Sequence, residues 1–503
     1  MTIEDWKKLQ NGSDIRGVAL EGIAGEDINL TPEATTMLGM SFAVWLARKG
    51  VGKRKVAIGT DSRLTGPLLK QAFIEGLVEM GVNVLDCGIA STPAMFMTTI
   101  SEDIKVDGGV MLTASHLPFN RNGMKFFTNK GGFDKNDISD LLKIADEDSF
   151  EKSDSKGIVN EIDFISDYAA FLVETIRKGV SDPDNYNVPL NGLKIIVDAG
   201  NGSGGFFADK VLLPLGADIS GSQFLDPDGT FPNHVPNPED ATAMASICKA
   251  VKHEKADLGI IFDTDVDRAA VVDEKGGPIN RNELIALISA AILEEHPGST
   301  IVTDSITSAG LKLFIEKELG GKHHRFKRGY KNVINESIRL NAEGKESWLA
   351  IETSGHAALK ENHFLDDGAY LVAKLLVKMA LLKKEERTLT NLIEKLQAPE
   401  ESEEFRFSIN SENFVDYGNR VIDELTQLVE NKVGWNIEKP NYEGLRVNCD
   451  NEKGWFLIRI SLHDPVMPLN IESDVKGGIQ LIAKDLFEIL KSYNDLDITS
   501  LKL

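Results

Sequence analysis

A serine and a set of acids are the residues in this chain best suited to chemistry on a phosphate. Ser115 follows the apolar run Val110-Met111-Leu112, in a stretch that begins Gly108-Gly-Val-Met-Leu-Thr-Ala-Ser-His-Leu-Pro118. Pro118 and Gly123 forbid regular structure just beyond it. The pattern predicts a buried strand that delivers one hydroxyl to the lip of a sheet. A serine hydroxyl is a poor nucleophile, whereas a phosphoserine is a stable store of a phosphoryl group. Ser115 is therefore read as a phosphate carrier.

The second constellation is Asp263-Thr-Asp265-Val-Asp267-Arg268, set between the apolar runs Leu258–Phe262 and Ala269–Val272. Three carboxylates at alternate positions converge only if the backbone bends there. Three oxygen ligands suit a hard cation such as Mg²⁺, which keeps positions open for phosphate. Glu274 completes a superficial EF-hand spacing, but Arg268 stands where that loop needs glycine and the flanks are strand-like, so Ca²⁺ binding of that kind is rejected. Lys125 is close enough in sequence to serve Ser115 as proton shuttle or as electrostatic clamp.

A third site is Ala350-Ile-Glu352-Thr-Ser354-Gly-His356. A carboxylate and a hydroxyl side by side suit contact with adjacent sugar hydroxyls, which need acceptors and donors together. His356 is either part of that site or a structural histidine of the loop. Arg16, and the turn Arg328-Gly329-Tyr-Lys331, are further candidate phosphate contacts.

These residues need elements to hold them. Three segments share one pattern: an apolar strand, an aspartate at its C-terminal end, a small-residue loop, a helix and a glycine stop. They begin at Lys55 (with Asp61), Lys194 (with Asp198) and Thr300 (with Asp304). Such units argue for α/β domains, and their recurrence for three related domains in tandem. The Gly-rich loop Asp198–Gly205 lacks a Gly-Lys-Ser/Thr ending and reads as a tight turn. The last hundred residues differ. Strands at 401–409, 445–447 and 454–460 and helices at 414–431 and 478–490 suggest a small α+β domain. The charged run 383–387 and the polar run 398–404 mark the linker. The boundaries expected are 1–156, 157–278, 279–396 and 397–503.

A length of 503 residues is too great for a single core. The net charge of −23 repels phosphate polymers and excludes nucleic acid as a partner, yet leaves room for a small phosphorylated ligand in a locally basic cleft. Cys87, Cys248 and Cys449 are far apart and show no CxxC spacing, which points to a reducing, cytoplasmic setting. No signal peptide or membrane span is expected.

Taken together, these stretches resemble the α-D-phosphohexomutase family, the phosphoglucomutases and phosphomannomutases. The likeness is collinear. It runs from Asp14-Ile-Arg-Gly17 and Leu30-Thr-Pro-Glu33 through Thr113-Ala-Ser-His116 and Asp228-Gly-Thr-Phe-Pro-Asn-His-Val-Pro-Asn-Pro-Glu239, then to Asp263–Arg268 and Glu352–His356. The resemblance implies three tandem α/β domains and a smaller C-terminal α+β domain around a central cleft. It implies phosphoserine at Ser115, with Mg²⁺, one per chain, on Asp263, Asp265, Asp267 and the Ser115 phosphate. Arg16, Lys125 and His356 match positions of acid–base or charge-stabilising work. His116, Arg268, Gly329, Lys331, Glu352, Ser354 and His356 are implied substrate contacts. The implied reaction moves phosphate between the 1- and 6-positions of a hexose, through a bisphosphorylated sugar that also serves as activator. A monomer or weak homodimer is expected.

The departures lie at Leu117, Arg121, Thr264 and Val266, and above all in the fourth domain. The family's phosphate loop reads Arg-Pro-Ser-Gly-Thr-Glu-Pro and then a second arginine. Here Arg459-Ile-Ser461-Leu-His463-Asp-Pro465 stands in its place, with Pro468 at the later arginine. Glycine lets backbone amides approach a phosphate, and Leu462 does not. Arg459, Ser461 and His463 are left as the expected distal phosphate contacts. Two alternatives follow: a mutase-like protein that binds sugar phosphates as a regulator, or a mutase for phosphopentose or amino-sugar phosphates.

Overall fold

The computed structural model describes residues 2–50, 54–461 and 464–501. The chain divides into two compact units, one comprising Met1–Ala291 with Ser354–Leu392, the other Ile292–Thr353 with Ile393–Leu503.

The first unit contains two sheets. In the larger, Gly108–Leu112, Lys55–Thr60, Asn83–Ile89 and Val159–Glu161 run parallel, and Arg121–Thr128 and Asp14–Val18 add antiparallel strands beyond Gly108–Leu112. Gly108–Leu112 is buried along its whole length. That is why it reads as an unbroken apolar run: a strand covered on both faces has no polar side to show. Helices Pro32–Arg48 and Gly66–Glu79 pack on this sheet through a core that includes Phe42, Phe73 and Phe126. Proline opens the first of these helices, and Thr31 caps it by accepting from the Ala34 N–H. Strand alternation then aims the chemistry. Met124 and Phe126 enter the core, so Lys125 between them faces the opposite side.

The second sheet has four strands. Leu258–Phe262 lies parallel to Ile195–Asp198 and antiparallel to Ala269–Val272, which pairs with Pro278–Ile279. The acid triplet is thus the connection of a hairpin with fully buried strands. The helical stretch after Asp198 is not a regular α-helix. It winds as a wide turn over Phe207–Leu212 and a tight one over Leu213–Leu215, where Pro214 lacks the N–H that a continuous helix needs. The unit also holds the short hairpin of Ala357–Leu359 and Leu365–Asp366, and the buried helix Gly368–Lys383.

In the second unit, Lys322–Arg325, Thr300–Thr303 and Ser347–Ile351 run parallel. A separate antiparallel sheet orders Trp435–Ile437, Leu445–Cys449, Gly454–Ile458, Val466–Ser473, Glu401–Ile409 and Leu496–Asp497. Helices Phe414–Glu430 and Gly478–Leu490 cover it with Val421, Leu425, Ile482 and Leu486. The molecule therefore carries three α/β modules and a C-terminal sheet domain, as the sequence pattern predicts. The strand Val466–Ser473 is absent from that pattern. Residues 401–404 fall both in the expected strand 401–409 and in the polar linker run 398–404; the strand holds, because Glu401–Glu404 pair with Asn470–Ser473, and the linker ends at Glu400.

Candidate active site

The loop Asp263–Arg268 is held by its own backbone. The Val266 N–H donates to the Asp263 carbonyl at 3.4 Å, and Val266 adopts a left-handed φ of +67°. Three further carbonyls are each taken by a different segment. Ser203 donates to the Thr264 carbonyl through N–H (2.8 Å) and Oγ (3.0 Å), Thr92 N–H to Asp265 (2.8 Å), and Gly368 N–H to Val266 (3.1 Å). A Cβ on Gly202 would lie 2.7 Å from the Thr264 carbonyl oxygen. The loop Asp198–Gly205 is therefore more than a turn; its glycine lets the chain press against the acid loop.

This scaffold brings one oxygen from each of Asp263, Asp265 and Asp267 within 4.8 Å of the others, all buried. Burial, and then the Asp267 and Asp265 charges, push Asp263 well above the usual carboxylate range, with Arg268 opposing. Asp265 is held low: burial opposes its charge, and Lys125 and Thr92 outweigh that cost. Among the described residues, Asp265 Oδ1 and Asp267 Oδ1 accept no hydrogen bond. Buried anionic oxygens left in this way match the donor set of a divalent cation.

Ser115 sits against this cluster. It is 5% exposed, more deeply set than a residue at the lip of a sheet, and has φ +49°. Its N–H donates to Thr113 Oγ1 at 2.8 Å, its Oγ donates to Asp263 Oδ2 at 2.9 Å, and it accepts from Arg268 Nη2 at 2.9 Å. The same Nη2 lies 2.7 Å from His116 Nδ1, which identifies that nitrogen as an acceptor and the ring as neutral. Lost hydration, and then the Arg268 and Arg16 charges, lower the His116 pKa. Arg268 is fixed in turn by Asp263 and by Asn237 Oδ1 at 3.3 Å.

Lys125 Nζ lies 3.0 Å from Asp265 Oδ2 and also binds Asp267 Oδ2. Burial disfavours its charge, but those two carboxylates hold it well above the usual lysine range. Arg16 Nη2 donates to Asp14 at 2.8 Å and Nη1 to the Thr113 carbonyl at 3.2 Å, which places it beside the serine loop. His356 follows Gly355, whose φ of +94° brings the chain to the Ala269 carbonyl. His356 Nδ1 meets Asp366 Oδ2 at 2.5 Å and stands 3.8 Å from Asp267 Oδ1. Burial works against its charge, yet Asp366 and Asp267 push it up to about 9. The first unit thus gathers Ser115, His116, Lys125, Arg16, Asp263, Asp265, Asp267, Arg268 and His356. Ser354, two residues before His356, is buried with no hydrogen-bond partner for its Oγ among the described residues.

Within the second unit, Glu352 Oε1 accepts from the Gly329 N–H at 2.6 Å, and Lys331 stands in the first turn of the helix Tyr330–Ala342. Thr353 is fixed to Asp304 through Oγ1 at 2.7 Å and N–H at 3.4 Å, and Arg328 Nε lies 3.6 Å from the same carboxylate. Arg459 is 7% exposed, and its Nε has no hydrogen-bond partner among the described residues. Ser461 Oγ accepts from Asp464 N–H at 3.3 Å. Leu462 and His463 lie outside the described residues.

Family models for the phosphoglucomutase/phosphomannomutase α/β/α domains I, II and III match residues 7–152, 170–277 and 280–399 in order. The chain belongs to the phosphoglucomutase/phosphomannomutase family. A phosphoglucomutase of Neisseria meningitidis serogroup A is 31% identical over 95% of this chain and 96% of its own. A phosphomannomutase/phosphoglucomutase of Pseudomonas putida is 29% identical over 94% of each. A crystal structure of a phosphoglucomutase/phosphomannomutase family protein from Burkholderia thailandensis superposes with a TM-score of 0.79 at 27% identity, covering 98% of both chains. The protein is accordingly a phosphohexomutase, an isomerase.

Several supports of this phosphohexomutase site were not singled out from the sequence. Thr92, Ser203, Asn237 and Asp366 each reach a residue of the constellation from another part of the chain. A partial signal existed: Asp61, Asp198 and Asp304 recur at strand ends, and each proves to be a buried acceptor, Asp61 within its own loop and Asp198 and Asp304 for neighbouring ones.

Proposed function

We propose that this enzyme interconverts hexose 1-phosphates and hexose 6-phosphates, with glucose and mannose phosphates as leading substrates, by way of a phosphoserine at Ser115. The observation that carries this reading is the position of Ser115 Oγ, 2.9 Å from both Asp263 Oδ2 and Arg268 Nη2. The neutral His116 Nδ1 stands 3.5 Å from Oγ, but its lone pair is already taken by Arg268 at 2.7 Å, so it is poorly placed to act as the base of a hydrolytic serine. With a cation on the three carboxylates and Arg268 on the hydroxyl, the setting suits a group carrying negative charge.

In this reading Asp263, Asp265 and Asp267 hold one Mg²⁺ per chain. Bound there, Mg²⁺ supplies charge neutralisation to a phosphoryl group during transfer. The chain's own residues do the rest. Arg268 orients a phosphoryl oxygen at Ser115, and His116, neutral, accepts from Arg268 and keeps it aimed. Lys125, a cation between two carboxylates, acts as charge clamp. His356 is the candidate for proton transfer at the reacting sugar hydroxyl, and Arg16, which stays protonated, stabilises charge beside the serine loop. Glu352 and Ser354 grip adjacent sugar hydroxyls, the Gly329–Lys331 turn supports Glu352, and Arg459 with Ser461 and His463 holds the distal phosphate. The sugar bisphosphate formed when Ser115 gives up its phosphoryl group returns the other phosphate to Ser115 after turning over, and free bisphosphate reloads an empty serine. The expected domain limits, 1–156, 157–278, 279–396 and 397–503, stay as the working division. The three cysteines carry no disulfide, which suits the cytoplasm, where we place the enzyme as a monomer or weak homodimer. No helix among the described residues is long and apolar enough to cross a membrane.

The test is a panel of glucose, mannose, hexosamine and pentose 1-phosphates, assayed with Mg²⁺ and a catalytic amount of the cognate bisphosphate. Conversion of glucose or mannose 1-phosphate is expected. Conversion of none would overturn the reading, and conversion of a pentose or amino sugar alone would overturn the substrate class.

A further inference from the structure

The segment that carries Ser115, residues 113–120, has no strand or helix to satisfy its backbone. Neighbouring groups satisfy parts of it, Arg16 at the Thr113 carbonyl and Ala19 and Leu20 N–H at that of Asn120, but one side chain takes the carbonyls around Ser115 itself. Arg63 Nη1 donates to the carbonyls of Pro118 (2.8 Å) and Arg121 (2.9 Å), and Nη2 donates to those of Ser115 (2.5 Å) and Leu117 (2.6 Å). Arg63 is 1% exposed, so none of this is surface decoration.

The guanidinium is itself anchored. Its Nε lies 3.3 Å from Asp61 Oδ2, and the Arg63 N–H donates to Asp61 Oδ1 at 3.0 Å. Asp61 follows the strand Lys55–Thr60, and its N–H donates to the Leu112 carbonyl at 3.1 Å, at the end of the neighbouring strand that leads to Ser115. The Asp61–Arg63 pair therefore ties both sides of the serine loop to one sheet edge. The charge of Arg63 points into four backbone carbonyls, which separates it from Arg268, whose Nη2 meets the Ser115 hydroxyl, and from Arg16, which takes the single carbonyl of Thr113 and pairs with Asp14.

We propose that Arg63 is a positioning residue for the phosphoryl carrier. It fixes the Ser115 carbonyl, and so the origin of the side chain, whatever Oγ carries. This matters because Ser115 holds a left-handed φ of +49°, which a non-glycine residue keeps only when its surroundings enforce it. It matters also because phosphorylation removes the Oγ–H that donates to Asp263. A loop held only through that hydroxyl would shift each time the phosphate came or went. Four carbonyls on one planar fork do not depend on it. Lysine cannot substitute, because an ammonium has three donors around a point and no fork.

The inference rests on the reading of Ser115 as phosphoryl carrier, and the experiment separates the two. The full-length wild type, R63K and D61N are compared for thermal midpoint, for kcat and KM with glucose 1-phosphate, Mg²⁺ and glucose 1,6-bisphosphate, and for amide exchange across 113–121. For R63K we expect a folded protein with KM within about threefold, kcat lower by about 100-fold, and faster exchange in that segment. D61N, a milder change that leaves all four carbonyl bonds possible, is expected to lose about tenfold in kcat and decides the matter if R63K does not fold. A general structural role would lower the thermal midpoint without slowing the folded enzyme. A folded R63K with kcat within about threefold of wild type overturns the proposal, as does a D61N whose loop exchanges faster at undiminished kcat. A wild type that converts no sugar phosphate and takes no phosphate on Ser115 overturns the carrier reading instead.

Discussion

Thr92 Oγ1 donates to Asp265 Oδ2 at 2.5 Å, while the Thr92 N–H donates to the Asp265 carbonyl at 2.8 Å. One residue at the start of the helix Thr92–Ile100 thus fixes both ends of a proposed metal ligand. With Oδ2 taken by Thr92 and Lys125, Oδ1 is the oxygen left for a cation. Thr92→Val keeps the shape and the backbone bond but removes the hydroxyl. We expect the Mg²⁺ concentration for half-maximal activity to rise by about tenfold, in the range seen when a partner of a metal ligand is lost. Titration of activity with MgCl₂ measures it; an unchanged half-saturation would show that the hydroxyl does not orient Asp265.

Lys125 neutralises two of the three buried carboxylates, and Lys125→Met leaves them facing each other. Breaking a buried pair from one side costs about 3–5 kcal/mol. A bound divalent cation replaces the missing charge, so that loss should be smaller in Mg²⁺ than in EDTA. Urea unfolding of wild type and variant under both conditions checks this. Equal destabilisation in the two would mean that Lys125 and the cation do not share the same carboxylates.

Gly202 tests the support of the acid loop from behind. A Cβ there would stand 2.7 Å from the Thr264 carbonyl, a backbone atom that cannot swing away. Gly202→Ala should cost about 1–3 kcal/mol as an overpacked contact. Because the displaced residue lies between two proposed ligands, Mg²⁺ affinity should fall with it. Thermal melts and Mg²⁺ titration read the two effects, and a variant that loses stability while binding Mg²⁺ normally would separate the loop's fold from its function.

His234 gives a pH dependence of known sign. Its Nε2 lies 3.0 Å from Asp198 and its Nδ1 2.9 Å from the Val235 carbonyl, so both ring nitrogens face acceptors and the imidazolium is favoured. Burial works against that charge, but Asp198 outweighs it and raises the pKa above the ordinary 6.5. A raised folded pKa means that the stabilisation is complete below about pH 6.5 and is lost as the pH climbs through the folded value. The stability difference between wild type and His234→Gln should therefore shrink from slightly acid to alkaline pH in urea titrations. A difference that grows with pH would contradict the charged form.

The parts of the molecule legible in the sequence are those whose signal is local. Ser115 stands out because an apolar strand ends beside it, and Asp263, Asp265 and Asp267 because two apolar strands bracket them. Thr92 and Asp265 are distant in sequence, and nothing near Thr92 announces a partner. Arg63 is plain as a residue, but its four carbonyl acceptors lie more than fifty positions away. The strand Val466–Ser473 was hidden by Pro468, since proline reads as a break in a central strand. There it costs little. Pairing with Gly454–Ile458 ends at Leu469, so the missing N–H falls beyond that ladder, and the Pro468 carbonyl still accepts from Arg459 N–H at 3.1 Å.

Intact mass spectrometry shows whether Ser115 carries the phosphoryl group. Wild type and Ser115→Ala are incubated with Mg²⁺ and glucose 1,6-bisphosphate, and the wild type is then exposed to excess glucose 6-phosphate. We expect the mass of one phosphoryl group on the wild type, mapped to Ser115, lost on addition of the sugar monophosphate and never present on Ser115→Ala. A phosphate at another residue, or a Ser115→Ala protein that takes up the same mass, would contradict it.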